Sequence, residues 1–420
     1  MQELLVQGGR PLNGTVKIGG SKNAVLPILA ATLLADSICT LDNVPNISDV
    51  HSFLQILEGL GAKTSFEGGR VTVDPTYIQV GTVEPHLVKH MRASILLLGP
   101  LLGRFKEVIL AYPGGCVLGK RSVHAHLHAL TAFGAEVVES SEAIHLRTDE
   151  LTSTSIIMAE ASVTATENAI MTAVCIPGRT EIRWAAMEPH VQDLCEFLVK
   201  MGADIQGLGT HTLIIEGGKP LHGAQHTVIP DYLEAGTFIL AGVLTRGELT
   251  VENCPVAHLD SFFQKLEEVG ARFTCTQNTV HITPHDGLHA LAKLQTSVYP
   301  GFATDLQAPF AVLLTQCEGE SRIHETLFEG RLGYLAELEK MGAKTEISNP
   351  HQAIVRGATP LRGAHIFSSD IRAGAAMVLA ALVANGETRI SDINYIDRGY
   401  EELDAKLRSL GASIERIQAM

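Results

Sequence analysis

The sequence predicts an α/β protein of two domains, each made of three βαβαββ units of about 70 residues with helices inside and sheets outside. Three observations lead there. The tripeptide apolar-Gly-Ala recurs six times, at Leu60-Gly61-Ala62, Phe133-Gly134-Ala135, Met201-Gly202-Ala203, Val269-Gly270-Ala271, Met341-Gly342-Ala343 and Leu410-Gly411-Ala412. Successive glycines are 73, 68, 68, 72 and 69 residues apart, the signature of an internal repeat. A second motif also recurs: Gly8-Gly9-Arg10-Pro11-Leu12-Asn13-Gly14 matches Gly217-Gly218-Lys219-Pro220-Leu221-His222-Gly223 and Gly357-Ala358-Thr359-Pro360-Leu361-Arg362-Gly363. Finally, every unit alternates between helical and strand periodicity in the same order.

Within a unit, an apolar segment such as Asn23 to Ala35 or Ala235 to Leu244 predicts a buried helix, followed by a strand such as Cys39-Thr40-Leu41 or Glu248 to Val251. A second, amphipathic helix comes next. Leu259, Phe262, Phe263, Leu266 and Val269 form one apolar stripe, as do Val50, Phe53, Leu54 and Leu57, and Tyr400, Leu403, Leu407 and Leu410. The repeat glycine then suits a left-handed C-cap, and alternating strands such as Arg70 to Val73 or Leu213 to Ile215 close the unit. Domain crossings are expected near residues 21 and 230. Residues 22–230 then form one domain, and residues 1–21 with 231–420 the other, leaving a hinged cleft as the default binding site. A duplication without a cleft is the alternative.

Composition narrows the function. A net charge of −14 argues against nucleic acid or a polyanionic surface as partner, so any anionic ligand must be gathered by a few concentrated cations. The first twelve residues lack the basic and apolar regions of a secretory signal, and no apolar run is long enough to span a bilayer. Seven cysteines without a C-x-x-C pair fit a reducing, cytoplasmic setting and suggest neither disulfides nor zinc. His124 and His128 are spaced i, i+4, but H-E-x-x-H is absent, so no metal is expected. Dinucleotide, Walker A and nucleophile-elbow patterns are absent too.

Candidate chemistry concentrates in a few places. Pro113-Gly114-Gly115-Cys116-Val117-Leu118-Gly119-Lys120-Arg121 places a cysteine among glycines and beside two cations that favour its thiolate, although a lone cysteine is also often inert. Lys22, in Ser21-Lys22-Asn23, opens an apolar helix where it could meet an anion or simply be solvated. Arg92 and Arg372 begin apolar segments, and each guanidinium needs a carboxylate or an anion. Asp305 reads either as a helix N-cap or as a base facing a hydroxyl, and Asp397, before Arg398, as an N-cap of the last helix.

Together, Ser21-Lys22-Asn23, Met91-Arg92-Ala93-Ser94, Pro113-Gly114-Gly115-Cys116, Thr304-Asp305-Leu306-Gln307 and Ile396-Asp397-Arg398-Gly399-Tyr400-Glu401 closely resemble the UDP-N-acetylglucosamine carboxyvinyltransferase family, over essentially the whole chain. The resemblance implies the enolpyruvyl transferase fold, a two-domain inside-out α/β barrel. It implies addition of the sugar 3-hydroxyl to C2 of phosphoenolpyruvate and loss of phosphate, a cytoplasmic reaction that opens peptidoglycan synthesis, without cofactor or metal. By the same match Cys116 is the general acid at C3, Asp305 accepts the hydroxyl proton, and Lys22, Arg121 and Arg398 hold phosphate and carboxylate. Arg92 and Arg372 support them, and Asn23, Ser162, Val163 and Leu327 line the substrate site. The chain departs from the family's pattern on the nucleotide side. Ser122-Val123-His124 follows Arg121 where a proline and a nearby aspartate are usual. Glu160 replaces a common lysine, Thr164 a glycine and Met187 a common arginine. Two alternatives therefore stand beside the main expectation: a transferase for another nucleotide or sugar acceptor, and a non-catalytic paralogue that binds a sugar nucleotide. Retention of Cys116, Asp305 and Arg398 favours an enzyme.

Overall fold

A computed structural model describes residues 2–418, except 80–82, 84, 115–121 and 141 and the side chain of His90. Cys116, Lys120 and Arg121 thus lie outside the described residues. The chain forms two compact units, divided at Gly19–Gly20 and again at Ile229–Pro230. Their hydrophobic cores share no residue.

In the unit formed by residues 20–229, three apolar segments occupy the centre: the helix Lys22–Ala31, the 3₁₀ turn Arg92–Leu97 running into the helix Leu98–Phe105, and the helix Val163–Ala173. The other unit centres on helices Tyr232–Thr245, Gln307–Thr315 and Ile371–Val383. All fourteen residues of Tyr232–Thr245 are buried, which explains why its sequence is apolar on every side instead of striped. The second helix of each repeat is striped and buries one face: Phe262, Phe263 and Leu266 in Asp260–Glu268, for example.

All six repeat glycines adopt positive φ, between 87° and 111°. No other residue type takes that conformation without strain, which is why the helix-to-strand turn keeps one sequence through the chain. Gly8, Gly217 and Gly357 recur for a different reason. A Cβ on any of them would lie within 2.4 Å of a carbonyl oxygen at the end of a central helix.

Among the described residues, six small sheets accompany the six repeats. Their register follows a simple rule in the third repeat: strand Ser155–Ile157 pairs parallel with Gly178–Arg183, which pairs antiparallel with Thr212–Gly217, which pairs with Asp204–Gln206. At the two crossings this rule is kept by exchange. Strand Gly14–Lys17 leads into the helix Lys22–Ala31 but belongs with residues 230–420, where it pairs with Leu249–Glu252. Conversely, Gln225–Thr227 leads into Tyr232–Thr245 but pairs with Cys39–Asp42. The N-terminal strand Gln2–Gln7 is inserted between Glu387–Ser391 and Ser413–Gln418. No helix among the described residues is long and apolar enough to cross a membrane.

Candidate active site

In the unit that contains the C-terminus, Asp305, Arg331 and Arg372 form a charged cluster. Asp305 sits in the 3₁₀ turn Thr304–Leu306 that feeds the central helix Gln307–Thr315. It is not an N-cap: its side chain makes charge-assisted bonds instead of closing the helix end. Arg331 Nη2 donates to Oδ1 at 2.6 Å and Arg372 Nε donates to Oδ2 at 3.1 Å. Burial opposes ionisation of Asp305, but the two guanidiniums outweigh it and hold the carboxyl well below the usual carboxylate range.

Arg372 lies in the first turn of helix Ile371–Val383, whose N-cap Asp370 accepts from the Arg372 and Ala373 amides. Its guanidinium stacks over the Tyr400 ring, 5.3 Å from the centroid, and its Nη1 is buried without a hydrogen-bond partner among the described residues. A buried N–H with no acceptor is costly unless an anion arrives to take it.

Arg331 was not foreseen. Its guanidinium is buried, and Nη1 donates to Thr304 Oγ at 2.9 Å. The segment Phe328-Glu329-Gly330-Arg331 carries no local sign that its arginine will face an aspartate 26 residues upstream. The available signal was repetition, since Arg331-Leu332-Gly333-Tyr334 echoes Arg398-Gly399-Tyr400 of the next unit.

Arg398 follows the short helix Asn394–Asp397 and is half-buried. The expectation that Asp397 caps the last helix fails. That helix, Leu403–Ser409, starts after Glu402, and the Asp397 carboxylate instead takes two bonds from Arg416, at 2.6 and 2.9 Å. Leu327 is partly exposed on the segment leading to Arg331.

The other unit holds the remaining predicted residues. Lys22 is buried, not solvated, and pairs with Asp49 at 2.9 Å on the first turn of its helix; Asn23 beside it is half-buried. Arg92 Nη2 donates to the Ser122 carbonyl at 3.3 Å. Ser162 is the N-cap residue of helix Val163–Ala173, although its side chain makes no capping bond. Thr164, the departure two residues on, is engaged from below: its hydroxyl meets His126 Nε2 at 3.1 Å, while His126 Nδ1 meets Asn168 Nδ2 at 2.9 Å. Since Asn168 can only donate there, Nδ1 is the acceptor and Nε2 carries the proton. Of the flanking histidines, His128 bonds the Ile157 carbonyl and stacks on His124.

Burial raises the thiols of Cys39 and Cys175 to about 11, and those of Cys195, Cys254 and Cys317 to about 12. Burial disfavours their thiolates, so these five read as packing residues.

Comparison with known proteins identifies the fold and the family. The family model of EPSP synthase (3-phosphoshikimate 1-carboxyvinyltransferase) matches residues 6–407. The solved enolpyruvyl transferase NikO from Streptomyces tendae superimposes with a TM-score of 0.91 at 26% identity, covering 100% of this chain and 99% of that one. EPSP synthase from Acinetobacter baumannii shares the fold, with a TM-score of 0.76 at 16% identity over the full length of both chains. The fold is therefore that of the enolpyruvyl transferases, which is the class of the protein. Within that class, UDP-N-acetylglucosamine 1-carboxyvinyltransferase of Koribacter versatilis is 44% identical over 99% of this chain and 97% of its own length. The enzyme of the same name from Methylacidiphilum infernorum is 42% identical over 99% of each. The chain belongs to the UDP-N-acetylglucosamine 1-carboxyvinyltransferase family.

Proposed function

We infer that the protein transfers the carboxyvinyl group of phosphoenolpyruvate to the 3-hydroxyl of UDP-N-acetylglucosamine with release of phosphate, the first committed step of peptidoglycan synthesis, in the cytoplasm. Full-length identity to transferases of that name carries the reading. The Asp305 cluster supplies its chemistry. An ionised carboxylate is the group needed to accept the hydroxyl proton as the C–O bond forms. The spare Nη1 of Arg372 fits a carboxylate or phosphate oxygen.

In the free protein Asp305 is a weak base, because two guanidiniums stabilise its charged form. An anionic substrate sharing Arg372 would draw off part of that stabilisation and make the carboxylate more basic when the hydroxyl is in place. Lys22, Arg121 and Arg398 are assigned to the phosphate and carboxylate, with Arg92 in support. Asn23, Ser162, Val163 and Leu327 are assigned to acceptor contacts. Cys116 is the general acid at C3. Alkylation of Cys116 by a small electrophile such as the epoxide fosfomycin should then abolish the transfer.

A second reading, transfer to another nucleotide-linked hydroxyl, is favoured by two positions. Glu160 is exposed just before the helix cap Ser162, where it would repel a diphosphate, and Thr164 puts a β-branched side chain where the family has glycine.

The test is incubation with phosphoenolpyruvate and UDP-N-acetylglucosamine, following phosphate release and product mass. The expected product is the carboxyvinyl sugar nucleotide, with at least about 100-fold slower release in Asp305→Asn and Cys116→Ala. Phosphate release that appears only with another acceptor would establish the second reading.

A further inference from the structure

Thr304 and Glu325 stand behind Arg331. Glu325 is completely buried at the end of strand Gly319–His324. Its Oε1 accepts from Thr296 Oγ at 3.0 Å, the Leu327 amide at 2.9 Å and the Phe328 amide at 3.2 Å. Its Oε2 accepts from Thr304 Oγ at 2.7 Å. A carboxylate only accepts, so the Thr304 hydroxyl must spend its single proton on Glu325 and turn its lone pairs elsewhere. One of them receives Arg331 Nη1 at 2.9 Å, while Nη2 of the same guanidinium reaches Asp305 at 2.6 Å. The bonds therefore run with one polarity, from Arg331 to Thr304 to Glu325, and the fork of Arg331 is oriented by both ends.

We propose that Glu325 is a positioning residue for the transfer reaction, acting through the Thr304 hydroxyl to aim Arg331 at Asp305. This deepens the reading of Asp305 as the base and rests on it. A buried carboxylate is expensive, and four donors converge on this one instead of an apolar side chain filling the space. Two of these bonds, from the Leu327 and Phe328 amides, also shape the segment that carries Leu327, so one buried group sets both the acceptor-side contact and the charge beside the base. Among the described residues, the charged and titratable groups facing the chain of bonds are Arg331 and Arg372 on Asp305, Tyr334 near Glu325 and Arg331, His351 on the Glu325 carbonyl, Asp370 near Tyr334, and Tyr400 and Asp231 near Arg372.

The direction of the bonds makes the test selective. Glu325→Gln keeps the shape but presents an amide N–H to Thr304 Oγ, which then faces two donors and has no acceptor for its own proton. Thr304→Val removes the hydroxyl at constant volume, and Thr304→Ser retains it. Rates would be measured across pH for the full-length enzyme with phosphoenolpyruvate and its acceptor, with Asp305→Asn as the control.

Glu325→Gln and Thr304→Val should each lower kcat roughly 10- to 100-fold at neutral pH. They should also move the acid limb of the profile upward, because a guanidinium that has swung away no longer depresses Asp305. Thr304→Ser should stay within about 3-fold of wild type. A uniform loss of kcat with an unmoved acid limb, or a crystal structure of Thr304→Val with Arg331 still bonded to Asp305, would overturn the proposal. If Asp305→Asn kept full activity, the assignment of Asp305 as base would fail instead, whatever the Thr304 variants did.

Discussion

The only tryptophan of the chain occupies a backbone conformation that the repeat designed for another residue. Where the strand after a central helix ends, in four of the six repeats the next residue is left-handed: Asn43, Asn253 and Asp392 take φ of 58°, 56° and 58°, and Trp184 takes 58° at the matching place. Asn43 and Asn253 use the position well, since their amides donate at 2.8 Å to the carbonyls of Val228 and Ile18, each just past the end of the neighbouring parallel strand. Trp184 has no amide side chain to place there, and the residue is 49% exposed. A left-handed conformation costs a bulky residue on the order of 1–2 kcal/mol, and asparagine tolerates it better. Trp184→Asn should therefore stabilise the protein by roughly 1 kcal/mol, read as a higher urea midpoint by circular dichroism. A lower midpoint would mean that packing of the indole outweighs the strain. The same scale shows what a sequence conveys about a site. Asp305 and Arg372 could be singled out because a charge at the mouth of an apolar helix has to be satisfied. The identity of the partner could not, because Arg331 meets Asp305 only after a loop, a strand and a helix have been folded between them.

At the scale of elements, helix His124–Ala132 and helix Val163–Ala173 are joined by a polar seam running from Thr164 through His126 to Asn168, whose amide also reaches the Ile95 carbonyl and the Gly99 amide. Burial and then the charge of Arg92 push the His126 imidazole down to about 3 from its ordinary 6.5. The native state thus holds neutral histidine where the unfolded chain would protonate it. Below pH 6.5 the unfolded state binds the extra proton, so stability falls as pH falls and continues to fall until the native pKa is reached. The slope from this group alone is about 1.4 kcal/mol per pH unit. His126→Gln should be less stable than wild type at pH 7, having lost the seam's geometry. Its unfolding free energy should nevertheless decline more shallowly between about pH 6.5 and pH 5. Parallel slopes would show that His126 does not titrate in the unfolding reaction. That the three histidines would serve three different ends was not legible, since i, i+2 and i+4 spacing specifies directions from a helix but not what lies along them.

For the whole molecule, the repeat was legible because its cause is local: a left-handed glycine, a striped helix and an apolar helix each leave a mark on their own residues. The strand exchange at the crossings was not, because nothing in Gly14–Lys17 or Gln225–Thr227 states which sheet each will join. Exchange makes a definite statement about the chain's division. Residues 20–229 contain an entire core and every strand of their sheets, including Gln225–Thr227, whereas Pro230 onward lacks Gly14–Lys17 and the central strand Gln2–Gln7. A fragment of residues 20–229 should fold cooperatively alone. Extending it back to residue 14 should add nothing, because that strand's partner is Leu249–Glu252. A fragment of residues 230–420 should not fold cooperatively, since the missing strand leaves the buried sites of Leu4 and Val6 empty, each worth about 1.5–3 kcal/mol, and opens the sheet between Glu387–Ser391 and Ser413–Gln418. Adding a peptide of residues 2–19 should restore a sharp urea transition, followed by circular dichroism. If residues 230–420 unfolded cooperatively without the peptide, or if extension to residue 14 stabilised the other fragment by more than about 1 kcal/mol, the strands would have to be assigned to the opposite sheets.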